Sequence, residues 1–266
     1  SVVCSSDLGA APRAMPAARA LAAQRGLDLG RIAGTGPGGT ITLGDVEAAV
    51  SPGTPAGFEP LTGARLAMAR NIARSRDEVA STTLCDDADV EAWPPGTDHT
   101  MRLARAVIAG CRAAPALNAW FDGDAQARRL HAEVALGIAV ETEVGLFVPV
   151  LHDALRRSLA ELRAEFNRLK RGLADRSLEP DELRGATITL SNFGALGGRY
   201  AALSIVPPQV AILGAGRIAA RPSIHAGQIA VRRLLPLSLS FDHRAVTGAE
   251  AARFLNAVIA DLATEA

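Results

Sequence analysis

Between Leu235 and Leu262 the chain switches from a two-residue hydrophobic period to a helical one, across a turn that holds a histidine. Leu235, Leu237, Leu239 and Phe241 alternate with Pro236, Ser238 and Ser240, the pattern of a strand with one buried face. After Gly248, Ala251, Ala252, Leu255, Val258, Ile259 and Leu262 recur at helical spacing. A strand that runs straight into an amphipathic helix belongs in a layered α/β fold, where sheet and helix share one core. His243 sits on the turn between them, held by two packed elements, a position from which a general base can act. A lone histidine is most often structural, so its meaning depends on the rest of the chain.

Upstream, glycine and proline divide the sequence. Residues 1–11 show no periodicity and are expected to be disordered. Residues 12–50 read as a small helical unit: Met15-Pro16 opens a helix carrying Ala18, Leu21 and Ala22, and Gly26 stops it. A tight loop, Gly34 to Gly39, follows, and Thr42-Leu-Gly-Asp-Val-Glu47 opens a second helix. Gly34, Gly36 and Gly39 satisfy the dinucleotide-binding spacing, but that loop must follow a strand, and this one follows a helix and contains Pro37. Residues 51–59 form a linker rich in Pro and Gly.

From residue 60 to 266 a larger domain is expected. Helices are predicted over 62–76, 101–113 and 158–173, the last opened by a Ser158-x-x-Glu161 capping box. The region 83–93 reads as a strand and turn, and 134–139 and 146–151 as paired strands. Further strands are expected near 186–191, 201–206, 211–218 and 230–241. The mixture points to an α/β sandwich with a mixed sheet.

With 48% hydrophobic and 21% charged residues and a formal net charge of zero, nothing favours nucleic acid or an anionic membrane. No apolar run approaches the length needed to cross a bilayer. Cys4, Cys85 and Cys111 are few and far apart, with neither metal spacing nor a disulfide framework, and suit a cytoplasmic protein. His99, His131, His152 and His225 have no metal-ligand spacing, so no metal is expected.

The His243 segment resembles the His-x-x-x-Asp-Gly signature of the acyltransferase family that includes the E2 subunits of 2-oxoacid dehydrogenase complexes and chloramphenicol acetyltransferase. The likeness is to the E2 branch and runs from about residue 60 to the end. It includes Arg65, Ala69, Arg70 and Ser75, the Pro115-Ala-Leu-Asn-Ala119 turn, Gly145 to Val150, Ile188 to Gly194 and Pro207 to Gly214. Residues 12–50 are similar to the peripheral subunit-binding domain of E2 proteins. The resemblance implies a chloramphenicol acetyltransferase-like mixed-sheet catalytic domain and a homotrimer or higher assembly. Its active sites would lie between subunits, with acyl-CoA, most simply acetyl-CoA, as the thioester.

Acyl transfer needs a base for the acceptor's proton and a donor for the tetrahedral oxyanion. The resemblance assigns these roles to His243 and Ser191. Asp242 beside His243 is expected to be structural, because adjacent side chains diverge. One position departs from the signature: its Asp or Asn is Thr247 here. Thr247 reads either as a tolerated replacement or as the mark of a reshaped acceptor site.

Two enzyme readings follow. In the first, the chain is a stand-alone acyltransferase moving acetyl from CoA to a small-molecule hydroxyl. Thr247, the lack of a lipoyl attachment site in this chain and a small domain with reduced docking charge favour it, and make dehydrogenase partners doubtful. In the alternative, the chain is the E2 core of a 2-oxoacid dehydrogenase complex. A non-enzymatic scaffold is disfavoured by the presence of both His243 and Ser191.

Overall fold

A computed structural model of the chain describes residues 12–50, 57–143 and 145–264. The expected disorder of residues 1–11 and most of the linker 51–59 lie outside the described residues. The chain divides into two compact units, Ser1–Leu61 and Thr62–Ala266.

In the first unit, α1 (Pro16–Arg25) and α2 (Leu43–Val50) close on a core of Ala18, Ala22, Ile41 and Val46. So small a core relies on polar locks at its loops. Asp45 supplies one. Its carboxylate accepts the backbone N–H of Thr35 (3.0 Å) and of Thr42 (2.8 Å) and the Thr35 hydroxyl (2.7 Å). The Thr42 hydroxyl accepts the Asp45 N–H in return. The two backbone donors, Thr35 first, hold the Asp45 carboxyl far below the usual carboxylate range.

The second unit begins with α3 (Gly63–Glu78), β1 (Ser81–Asp89) and α4 (His99–Ala113). There follow β2 (Ala119–Asp122), β3 (Ala127–Leu130), β4 (Leu136–Ile138), β5 (Val140–Thr142), β6 (Gly145–Phe147) and β7 (Val150–Leu151). Then come α5 (Leu159–Asp175), β8 (Ile188–Asn192), β9 (Ala211–Ala215), β10 (Ala219–His225), β11 (Gln228–Asp242) and α6 (Gly248–Leu262). The main sheet runs β1-β11-β9-β8-β4-β7, with β10 paired to β11. Only β4–β8 and β8–β9 are parallel, so the sheet is mixed as expected.

One face of the sheet carries the core. Leu235, Leu237, Leu239 and Phe241 of β11 join Ile188 and Leu190 of β8 and Leu213 of β9 against α4, α5 and α6. The final helix is tied down at its end. Arg102, buried in α4, donates to the Asp261 carboxylate (2.8 Å) and to the Asp261 and Thr264 carbonyls, and the Trp93 indole donates to the Leu262 carbonyl (2.7 Å). These bonds satisfy carbonyls that a helix terminus leaves without partners.

The opposite face of β11 departs from the expectation of a single buried face. Ser238 and Ser240 are fully buried beneath the extended segment 199–205. Their hydroxyls accept the N–H groups of Ala201 and Leu203, each at 3.1 Å. Residues 201–206, expected as a strand, are therefore extended but pair with side chains rather than with a neighbouring backbone. Side-chain hydroxyls satisfy the strap's donors without a ladder.

The sheet also gains an unexpected strand, β10. His225 pairs with Gln228 across Ala226-Gly227, both with positive φ, a two-residue turn of the primed hairpin kind. Ala226 in place of the usual Asn or Asp hid this turn in the sequence.

Candidate active site

The three residues singled out in the sequence occupy two ends of one sheet. His243 begins the turn after β11, where Phe241 pairs with Ala211 at the start of β9. Its N–H donates to the Ala80 carbonyl (2.9 Å), and its exposed ring lies 5.6 Å from that of Phe241. Ser191 lies near the far end of β8, half-buried, paired with Gly214 on β9. Gly214 in turn pairs with Ser238 on β11, and His243 is five residues further along. Two strand spacings across and five residues along place Ser191 and His243 about 15–20 Å apart within one chain. One chain does not bring them together.

The His243 turn is rigid. The buried Asp242 donates its N–H to the Val210 carbonyl (2.8 Å), and its carboxylate accepts from the Arg244 backbone N–H (3.1 Å) and from the Arg244 guanidinium (2.7 Å). Arg244 also donates to the Glu78 carbonyl and stacks over Phe121, with its guanidinium carbon 4.7 Å from the ring centroid. The Asp242 carboxylate holds the Arg244 guanidinium firmly protonated. Asp242 thus serves the turn rather than the imidazole, as adjacent side chains suggest. Arg128 adds a further brace by donating to the Ala245 carbonyl. Arg244 and Arg128 were not identified in the sequence, because their roles depend on contacts with distant segments.

Thr247 is the N-cap of α6. Its hydroxyl accepts the Glu250 N–H (3.3 Å), and the Glu250 carboxylate accepts the Thr247 N–H (2.8 Å), a complete capping box. The Thr247 N–H is the main reason that the Glu250 carboxyl is held below the usual carboxylate range. Asp, Asn, Ser and Thr all perform this capping task. The Thr247-x-x-Glu250 spacing has the same capping-box form as Ser158-x-x-Glu161.

Beside Ser191, Gly214 of β9 allows close packing. A Cβ on Gly214 would meet Leu203 at 2.5 Å and Phe193 at 3.0 Å. The turn after Ser191 is pinned by Phe193 N–H to the Ala215 carbonyl (3.0 Å) and by Arg217 N–H to the Gly198 carbonyl (3.0 Å). Its far end is latched to β1: Arg199 and Tyr200 both donate to the Asp87 carboxylate, at 2.7 and 3.0 Å. Asn118 of the Pro-x-Leu-Asn-Ala turn is buried and structural, its amide donating to the His131 and Glu133 carbonyls, each at 2.9 Å.

Two solved dihydrolipoamide acetyltransferases superpose on this chain. A probable dihydrolipoamide acetyltransferase from Listeria monocytogenes superposes with a TM-score of 0.72 at 27% identity, over 78% of this chain and 95% of that one. The dihydrolipoamide acetyltransferase (E2p) of Azotobacter vinelandii has been studied for the role of one serine, one histidine and one asparagine in its catalytic mechanism. It superposes with a TM-score of 0.70 at 30% identity, over 77% and 91% of the two chains. The chain belongs to the 2-oxoacid dehydrogenases acyltransferase family: residues 97–264 match its catalytic domain, and residues 12–47 match the e3 binding domain. The lipoamide acyltransferase component of the branched-chain alpha-keto acid dehydrogenase complex of Pseudomonas putida is 35% identical over 278 residues, 94% of this chain and 66% of that protein. The chain thus spans just under two thirds of that relative.

These matches overturn the expectation of a stand-alone enzyme acting on a small-molecule hydroxyl. Its three supports fail on physical grounds. Thr247 caps α6, a task that Asp and Asn also perform, so its presence needs no reshaped acceptor site to explain it. A chain that spans part of its relatives says nothing about a lipoyl segment elsewhere. The basic charge of the small unit is not confined to its helix and loop motifs. Folding adds Arg13: the Arg13 carbonyl accepts the Ile41 N–H (2.7 Å), and a Cβ on Gly38 would lie 3.9 Å from the Arg13 guanidinium. A basic side chain therefore stands at the glycine loop, and the e3 binding match removes the ground for doubting dehydrogenase partners.

Proposed function

We propose that the chain is the acyltransferase core of a 2-oxoacid dehydrogenase complex, exchanging an acyl group between the thiols of dihydrolipoamide and CoA. The observation that carries this reading is a spacing. In the Azotobacter enzyme the studied serine precedes the histidine by 52 residues and the asparagine follows it by four. Ser191, His243 and Thr247 stand at the same separations.

In this reading the His243 imidazole takes the proton of the acceptor thiol, and the thiolate attacks the thioester carbonyl. The Ser191 hydroxyl donates to the oxyanion of the tetrahedral intermediate, which is worth a few kcal/mol to the transition state. The intermediate collapses by breaking its bond to the original thiol sulfur. That leaving thiolate recovers the proton from the imidazolium, so the base is regenerated. No metal is required, since both thiols are good leaving groups.

The 15–20 Å between the two groups in one chain supports a site shared between copies, His243 of one facing Ser191 of the next, in a homotrimer or a larger core. The small unit would tether a dehydrogenase subunit, and the complex would work in the cytoplasm.

The test supplies purified protein with acetyl-CoA or a branched acyl-CoA and dihydrolipoamide, and follows CoA thiol release. Rapid acylation of dihydrolipoamide is expected. An assembled, folded protein that leaves dihydrolipoamide untouched with every acyl-CoA offered would refute the reading.

A further inference from the structure

The connection from β8 to the parallel β9 runs over the sheet face opposite the helices, as the strap 199–205. Ser191 on β8, Gly214 on β9, Ser238 on β11 and Cys85 on β1 form one row in register. Residues of one row point to the same face. Ser238 is buried under the strap, so the Ser191 side chain also points to the strap's side. The Ser191 hydroxyl bonds to none of the described residues and is free to donate.

Gly214 leaves a gap beside Ser191 that two side chains fill. A Cβ there would meet Leu203 at 2.5 Å and Phe193 at 3.0 Å, so these two form an apolar wall on one flank of Ser191. Phe193 is held by its N–H bond to the Ala215 carbonyl (3.0 Å). Leu203 is held through the strap: its own N–H donates to the Ser240 hydroxyl, and the Ala201 N–H donates to the Ser238 hydroxyl. Both hydroxyls are tied to β1. Ser240 bonds to the Thr83 hydroxyl (2.8 Å), and Ser238 accepts the Cys85 thiol (3.6 Å). Ser238 is the anchor that stands in the row of Ser191 itself.

We propose that Ser238 is a positioning residue for acyl transfer: its hydroxyl seats the strap so that Leu203 closes one flank of the Ser191 hydroxyl. This rests on the reading of Ser191 as the oxyanion donor. With that flank dry, the hydroxyl has no water to donate to there and is directed to the open side, where the oxyanion forms. Loss of the Ser238 hydroxyl leaves the Ala201 N–H without its acceptor, so the strap shifts and the flank opens. Water then competes for the Ser191 proton. The cost falls on the transition state rather than on substrate binding, so kcat falls while KM holds.

The test is a double-mutant cycle of acyl transfer in the whole chain, with fold and assembly followed by circular dichroism and sedimentation velocity. Ser238→Ala should lower kcat by a factor of about 10–10², with KM changed less than about twofold. Ser238→Thr keeps a hydroxyl acceptor and should retain most of the turnover. Leu203→Ala should reproduce the loss with Ser238 intact. In a Ser191→Ala background, Ser238→Ala should cost less than about twofold more, because the group that it positions is already gone. Leu203→Ala runs through the same cycle, so the outcome does not hang on the folding of one variant. Undiminished kcat in both folded variants, or an equal loss with and without Ser191, would overturn the positioning role and leave that of Ser191 standing. A Ser191→Ala variant as active as the parent would overturn the donor reading, and the role of Ser238 with it.

Discussion

Ser191 and His243 lie at opposite ends of one sheet, linked through the register Ser191–Gly214–Ser238 and separated by about 15–20 Å. Neither the strap nor the turns span this distance with a movable element. The strap is bonded to Ser238 and Ser240, and the His243 turn is fixed by Asp242, Arg244 and the Ala80 carbonyl. In the proposed reaction the Ser191 and His243 of one chain therefore serve different sites.

Complementation follows from this geometry. His243→Ala and Ser191→Ala, assayed alone, should each lower turnover by a factor on the order of 10²–10⁴ without altering assembly. When the two variants are dissociated, mixed in equal amounts and reassociated, interfaces that join an intact His243 to an intact Ser191 should form. About a quarter of the parent activity should return for random mixing in a ring of head-to-tail contacts. Mixed rings with no more activity than either variant would show that the site lies within one chain.

Thr247 should behave as a cap. Thr247→Ala removes the hydroxyl that receives the Glu250 N–H and should lower stability by about 1 kcal/mol. Thr247→Asn and Thr247→Asp keep an acceptor there and should retain most of that stability, with dihydrolipoamide still the preferred acceptor. Urea unfolding followed by helix signal, with acceptor competition on the same samples, measures both. A switch of acceptor in Thr247→Asn would give the position a role in specificity after all.

The small unit should loosen in acid. Asp45 is ionised when it accepts the Thr35 and Thr42 donors, and its folded-state pKa is depressed below the ordinary value of 3.8. Its contribution to stability is therefore fully present above about pH 4 and is lost as pH falls through the lower, folded value. Amide signals of residues 12–50, followed by NMR in the whole chain, should broaden or shift with falling pH below 4. Asp45→Asn should flatten this dependence. An unchanged acid profile in that variant would assign the loss to other carboxylates.

Much of this molecule can be read locally. The alternation before Asp242 and the helical spacing after Gly248 fix a strand, a turn and a helix, because each period leaves one orientation that buries the apolar side chains. The capping boxes at Ser158 and Thr247 likewise depend on residues three apart. The strap over Ser238 and Ser240 was not legible, since residues 201–206 carry a strand-like pattern whose partners lie some forty residues away in sequence. The same holds for Arg13 beside the glycine loop, which only the pairing of Ala14 with Ile41 brings there.

The sequence by itself determined most of the helices and strands and the order of the two units, since these follow from side-chain type and spacing along the chain. Tertiary structure alone decided that Ser191 and His243 lie at opposite ends of the sheet. Register between strands depends on pairings between distant residues, so it determines which end of the sheet each group occupies.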